Sequence, residues 1–531
     1  MSRRRVQTLP RASDDTVIPD PEQRHLLWAR GYLYAREPSE PPHPWWRSHE
    51  LGGRTLHFDP RLELSVARHG ETFVAVLGIA VDLSEWLTGL GDIAEMLLDH
   101  RLRSRSAMIR ALDRVCGRYI VIDGRGEHAW IQGDASCSRP VYYSTTADAY
   151  ASHAHLLAAV TGSPRHPRFP DPNGLGKRTY AMPGNCTPWR DVRVLTPNTD
   201  LCLTTGEISR FFPRSRIEHR DPLLIIDHLG PLLERQLELL TREHRLLISL
   251  TAGLDSRTTL ALSRSVADRV EYFCYEFPEV REGRSPEKQQ DSEISRQLAE
   301  RVGVTFHTVP MPYRYPEEPL LSVTRANATL FSHPALGLSH LTSGLDDRLH
   351  IRSSHFEVAR RWFRRHGATQ IPVDGKEMAR LLTEYHGNEA PFVEEFDRFY
   401  ALTDFESTED LCDQHDLFYW EHRAGTWVPH FLAESDVAYE NYTIVNARHI
   451  YEWLMSAPHR LRSNAAVQRG LITRYWPEAM EFPINGQMKE HFPAQVACAP
   501  DRASSRNWSM SGLAASLKQF LRGNSASRHF R

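Results

Sequence analysis

The sequence predicts an α/β protein of two domains, a β-rich sandwich-like domain followed by a parallel-sheet domain with a helical C-terminal part. Three observations carry this prediction. At 531 residues the chain exceeds one ordinary domain. Short apolar runs broken by Gly and Asp-Gly steps fill residues 25–213. From residue 220 onward, strand and helix patterns alternate at the pitch of parallel crossovers.

Residues 1–24 are polar and rich in Arg, Asp and Pro, which predicts a loosely ordered arm. In the first domain, 72–77 and 118–123 read as strands, and 82–101 and 105–115 carry apolar residues at helical spacing. In the second, Leu223, Ile226, Leu229, Leu233 and Leu237 predict a helix over Pro222–Glu243, with Gly230 and Pro231 expected to kink or split it. A strand over 245–250, a Gly-containing turn, a helix through Ser263, a strand over 270–277 and a helix over 291–302 follow. Helical patterns dominate 319–476, and the domain is expected to span 220–495. The 496–531 tail is rich in Ser and Arg, with one short helical stretch at 513–521.

Composition narrows the function classes. With 41% hydrophobic and 25% charged residues, net charge −3 and pI near 6.8, nothing advertises a nucleic-acid partner. No apolar run approaches the roughly 20 residues of a membrane-spanning helix. The seven cysteines are dispersed and include no CxxC pair, which predicts reduced thiols and a cytoplasmic location. Lysine occurs only at 177, 288, 376, 489 and 518, so few amines are available for chemistry.

The most informative stretch runs from the apolar 246–250 into Thr251, Ala252, Gly253, Leu254, Asp255 and Ser256. Small residues allow a tight turn from strand to helix, whose outward N–H groups make a seat for phosphate oxygens. The hydroxyls of Ser249, Thr251 and Ser256 add donors. Asp255 in such a seat needs a cation between itself and phosphate, which makes it a candidate Mg²⁺ ligand. No Gly-Lys-Ser/Thr follows, so the loop is not of the Walker type.

The six residues 251–256 resemble the Ser-Gly-Gly-x-Asp-Ser loop of ATP pyrophosphatases, with Thr251 and Ala252 departing from it. Other stretches resemble the asparagine synthetase family in order: Gly117 to Tyr119, Asp134 to Tyr143 with Cys137 in a glycine place, 272–277, Asp291 to Glu293, Glu440 and 450–458. The resemblance spans about 110–495 and implies a glutaminase-like sandwich followed by an ATP-pyrophosphatase domain. It also implies a ligase that adenylates a small-molecule or peptide carboxylate with ATP and Mg²⁺ and passes the acyl group to an amine. It places Tyr275 beside the nucleotide, Glu357 with Asp255 on the metal, and Arg469, Arg474 and Lys489 at the departing charge.

The departures matter as much. Glutamine-hydrolysing members begin with a nucleophilic cysteine, whereas here Ser2 follows Met1 and the first cysteine is Cys116. Glutamine hydrolysis is therefore not expected, and a substrate's own amine, as in β-lactam synthetases and lasso-peptide cyclases, is the alternative. Ser353 and Phe356 replace two family acids, leaving Glu357. These losses also fit a retired enzyme that survives as a binding protein. The arginines over 360–365 would attract phosphate if they faced the loop, but read as a solvent-facing charge run, and His153 with His155 as solvated or capping rather than metal-binding.

Overall fold

The computed structural model describes residues 24–36, 40–171, 181–276, 286–311, 318–329, 336–341, 343–364, 373–382 and 389–484. Residues 1–23 of the expected arm, residues 485–495 of the expected second domain with Lys489, and the whole 496–531 tail lie outside them.

The first half is a four-layer sandwich. One antiparallel sheet orders its strands Val192–Val194, Tyr142–Ser144, Ala149–Ala151, Tyr32–Ala35, Arg54–Phe58, Arg47–Leu51. The other runs Ile208–Arg210, Thr199–Cys202, His128–Gly133, Val115–Arg125, Thr72–Asp82, Leu64–His69. Tyr32, Leu56, Phe73, Leu77, Ile120 and Ile131 fill the space between them. Because strand side chains alternate, Val74, Val76 and Val121 point outward and are covered by helices Leu90–Arg103 and Arg105–Leu112. Helix Ala154–Thr161 covers the opposite sheet. Gly117, at φ 150°, lies where a Cβ would collide with the Ile79 carbonyl, so the long strand pair needs glycine there.

The second half is built on a five-stranded sheet, parallel throughout, in the order Phe306–Pro310, Val270–Glu276, Leu246–Ser249, Leu349–Ile351, Asn441–Tyr442. Leu246, Ile248 and Tyr272 face helices Pro222–Glu243, Leu254–Leu262 and Ala466–Tyr475, while Leu247, Phe273 and Val309 face the other side. Helix Pro222–Glu243 is continuous through Pro231, neither split nor ended there. The last two strands, three and two residues long, fall within 319–476, where helical patterns dominate and no strand was singled out.

The halves share one core, in which Cys116 and Ala135 join Trp420 and Tyr442. Asp134, from the segment singled out in sequence, accepts the amides of Ser136, Ser138 and Arg139 at 3.1, 2.9 and 3.0 Å and the Asn446 side-chain amide at 2.8 Å. That motif is thus a turn built around one buried carboxylate and docked on the second half. No helix among the described residues is long and apolar enough to cross a membrane.

Candidate functional site

The central strand Leu246–Ser249 sends the chain first to one neighbour, Val270–Glu276, and later to the other, Leu349–Ile351. The order reverses there, and the crevice beyond the strand ends at such a reversal is where open α/β sheets bind ligands. Residues 250–253 turn at this point and helix Leu254–Leu262 starts. The loop is closed by its own hydroxyls. Ser256 Oγ accepts the Thr251 amide at 3.1 Å, Thr251 Oγ1 accepts the Gly253 amide at 3.1 Å, and the two hydroxyls lie 3.0 Å apart. Leu254 buries its side chain in the core and presents its backbone to the loop, while Ser249 ends the strand in register with Phe273.

The Ala252 amide donates to a carboxylate oxygen of Asp291, carried by helix Pro286–Val302. A carboxylate oxygen therefore already sits on the turn, held by one of its amides. The amides of Leu254 and Ser256, in the first helical turn, take no protein acceptor among the described residues.

Around the seat the positive charges are arginines. Arg360 Nη1 donates to both Asp255 carboxylate oxygens, at 3.3 and 3.2 Å. It follows the turn Phe356–Ala359, and its amide donates to the Glu357 carbonyl at 3.0 Å. Arg469, 9% exposed on helix Ala466–Tyr475, forms no ion pair among the described residues. Burial and the nearby Arg360 charge both push its pKa down. Arg257 is fully buried and donates to the carbonyls of Ala479, Phe482 and Pro483 at 3.2, 2.8 and 2.5 Å. Burial, aided by Arg469, lowers it to about 10 against the pull of Asp291.

The acids expected to hold Mg²⁺ do not form a bare pair. Asp255 accepts from Arg360, and Glu357 accepts the Tyr419 hydroxyl at 3.2 Å. Ser353, in the place of a family acid, donates to Thr259 Oγ1 at 2.8 Å, and Phe356 is buried in the core. Among the described residues, three potential ligands converge only at His166, Cys186 and Glu395, remote in sequence from the loop. There His166 Nδ1 accepts two backbone amides and Glu395 is paired with Arg193 and Arg398, so that cluster is closed as well. The residues at the loop, as placed, do not fit a carboxylate cage for Mg²⁺.

Other expectations fall elsewhere. Tyr275 points to the sheet face opposite the loop helix, where its hydroxyl meets His340 at 3.0 Å and Tyr439 at 3.4 Å, and burial raises its pKa well above the usual value. Arg474 lies on the outer surface with its side chain 53% exposed and pairs with Asp227. So helix Ala466–Tyr475 brings Arg469 to the charged cluster but not Arg474. Arg360 does not face open water as the charge-run reading expected; it faces the loop, the alternative in which these arginines would attract phosphate. His153 is buried at the N-cap position of helix Ala154–Thr161 without a side-chain cap bond, and His155 is partly buried; desolvation lowers them to about 3 and about 4. Cys116 and Cys274 are buried and their thiols pushed up to about 12, far from a nucleophile's range.

No family model matches the chain, and no curated protein does. Among solved structures, the glutamine-dependent NAD⁺ synthetase of Acinetobacter baumannii in complex with ADP aligns at 18% identity over 31% of each chain, TM-score 0.16. The NMN synthetase of Francisella tularensis aligns at 13% over 53% of this chain and 100% of its own, TM-score 0.19. The NAD⁺ synthetase of Burkholderia pseudomallei aligns at 14% over 49% and 90%, TM-score 0.18. The chain spans about a third of the length of the first. At these scores the likeness carries no argument, and the functional reading rests on the site.

Proposed function

We propose that the protein is an ATP-dependent ligase that activates a carboxylate as its acyl-adenylate and transfers the acyl group to an amine. The observation that carries this reading is the anion seat at the sheet's reversal, where the Ala252 amide holds a carboxylate oxygen under a cluster of arginines. In this reading ATP phosphates replace Asp291 on the amides of the 251–256 turn. The substrate carboxylate attacks the α phosphorus, the α–β bridging bond breaks, and pyrophosphate leaves. Arg360 and Arg469 neutralise its growing charge but, as arginines, hold their protons and supply none. The amine then displaces AMP from the acyl carbon and forms an amide.

The described cysteines favour an amine other than one released from glutamine, since five are buried and the sixth, Cys412, is partly buried. This supports a substrate amine, as in macrolactam formation, over the asparagine synthetase reaction. A second reading, a binding protein that retains nucleotide without chemistry, is favoured by the closed contacts of Asp255 and Ser353. Pyrophosphate and AMP measured over panels of carboxylates and amines decide between them. Release that vanishes in Asp255→Ala supports the ligase; tight ATP binding without either product supports the binding protein.

A further inference from the structure

Aspartate in an anion seat repels phosphate unless a cation stands between them. The resemblance leads one to expect a metal there, yet two of the three expected acids are Ser353 and Phe356, tied to Thr259 and to the core. What stands against Asp255 is a guanidinium. We infer that Arg360 takes the position of a metal ion at Asp255, so that the nucleotide phosphates are held by arginine and bind without Mg²⁺. This rests on the ATP reading above and deepens it.

Three features support the assignment. First, Arg360 leaves the turn Phe356–Ala359 directly beyond the strand next to the loop, the same segment that would otherwise carry metal ligands. Its side chain is 23% exposed and that of Asp255 19%, so the pair is half-buried and preorganised. Second, only one of its nitrogens engages Asp255, and its Nε is buried with no acceptor among the described residues. A guanidinium has five N–H donors in a fixed fork, so the group keeps donors in reserve for a second anion. Third, Arg469 brings another cation that finds no carboxylate among the described residues. Two guanidinium groups brought together, one of them without a carboxylate partner among the described residues, favour an anion of high charge, which uncomplexed ATP provides.

The test is equilibrium binding of ATP to the full chain, by displacement of a fluorescent ATP analogue, with EDTA and again with excess Mg²⁺. Wild-type affinity should change by less than about threefold between the two conditions. Arg360→Gln should lose about tenfold or more in EDTA and recover part of it with Mg²⁺, which then reaches Asp255. Arg360→Lys, which keeps the charge and lacks the fork, should fall between them. Thermal unfolding of each variant verifies that the fold persists. Wild-type binding that collapses in EDTA, or a Gln variant indistinguishable from wild type, overturns the inference and leaves the ATP reading standing. No ATP binding under either condition removes both.

Discussion

Arg118 of the sandwich and Asp436 of the parallel-sheet half form a two-point ion pair, at 2.5 and 2.7 Å, with both side chains 3% exposed. Glu440 extends it, accepting from Arg118 at 2.9 Å and from Arg139 at 2.8 Å. Charges this deeply buried hold the halves in one relative position because every partner is spoken for. Removing one leaves another stranded. Arg118→Ala is therefore expected to lower stability by about 3–5 kcal/mol in urea unfolding. A loss under about 1 kcal/mol would mean that the pair does not hold the junction.

The same network sets an acid limit. Burial alone would raise the Glu440 carboxyl, but Arg139, Arg118 and Arg30 outweigh it and bring it from the usual 4.5 to about 2. A carboxyl with a depressed folded pKa stabilises the fold above its unfolded value, and that contribution fades as pH falls through the folded one. The stability gap between wild type and Glu440→Gln should be constant above pH 4.5 and shrink toward pH 2. A gap that widens on acidification would contradict the charge arrangement.

Arg257 links the loop helix to the segment that follows helix Ala466–Tyr475. Its three carbonyl partners lie at 479, 482 and 483, so the anion seat and this segment are fastened by one side chain. Arg257→Met should cost about 2 kcal/mol or more and raise amide exchange over Pro477–Met480 before the rest of the fold opens. Uniform exchange across the domain would instead point to a global effect.

How much of this was legible in the sequence depended on length and parity. Helix Pro222–Glu243 was readable to the residue, because six turns of apolar periodicity average out local noise. The strands Leu349–Ile351 and Asn441–Tyr442 were not, since two or three residues carry no period and are strands only by pairing with distant chain. Tyr275 belongs to a correctly expected strand, but its parity with Phe273 rather than Tyr272 sends it to the far face. Arg360 sat among neighbours that looked like a solvated charge run, and only the three-dimensional turn brings it onto Asp255. Local pattern was enough for the strand–turn–helix at 246–262; long-range placement decided which charges surround the turn.

The Ala252 amide donates to Asp291, so a phosphate binding at the turn as proposed would compete with that carboxylate. Asp291→Asn keeps the shape and removes the charge, so it should tighten binding of ATP or inorganic pyrophosphate by about tenfold. Displacement titrations read this directly. Weaker binding in the variant would mean that the carboxylate acts on the bound nucleotide rather than as its stand-in.

The two arginines of helix Ala466–Tyr475 separate a seat-facing charge from a surface one. Arg469 is buried, close enough to Arg360 to be shifted by its charge, and without a carboxylate among the described residues. Arg474 is solvent-exposed and paired with Asp227 across to helix Pro222–Glu243. A cation that completes the seat loses Coulomb energy directly when removed, whereas one screened by water and already paired loses little. Arg469→Ala should weaken ATP binding by about tenfold or more, while Arg474→Ala should stay within about twofold. Because both lie on one helix, a general loosening of that helix would weaken binding in both variants, and only a specific contribution from Arg469 separates them. The reverse order of effects would move the phosphate site to the outer face of the helix and away from the 251–256 turn.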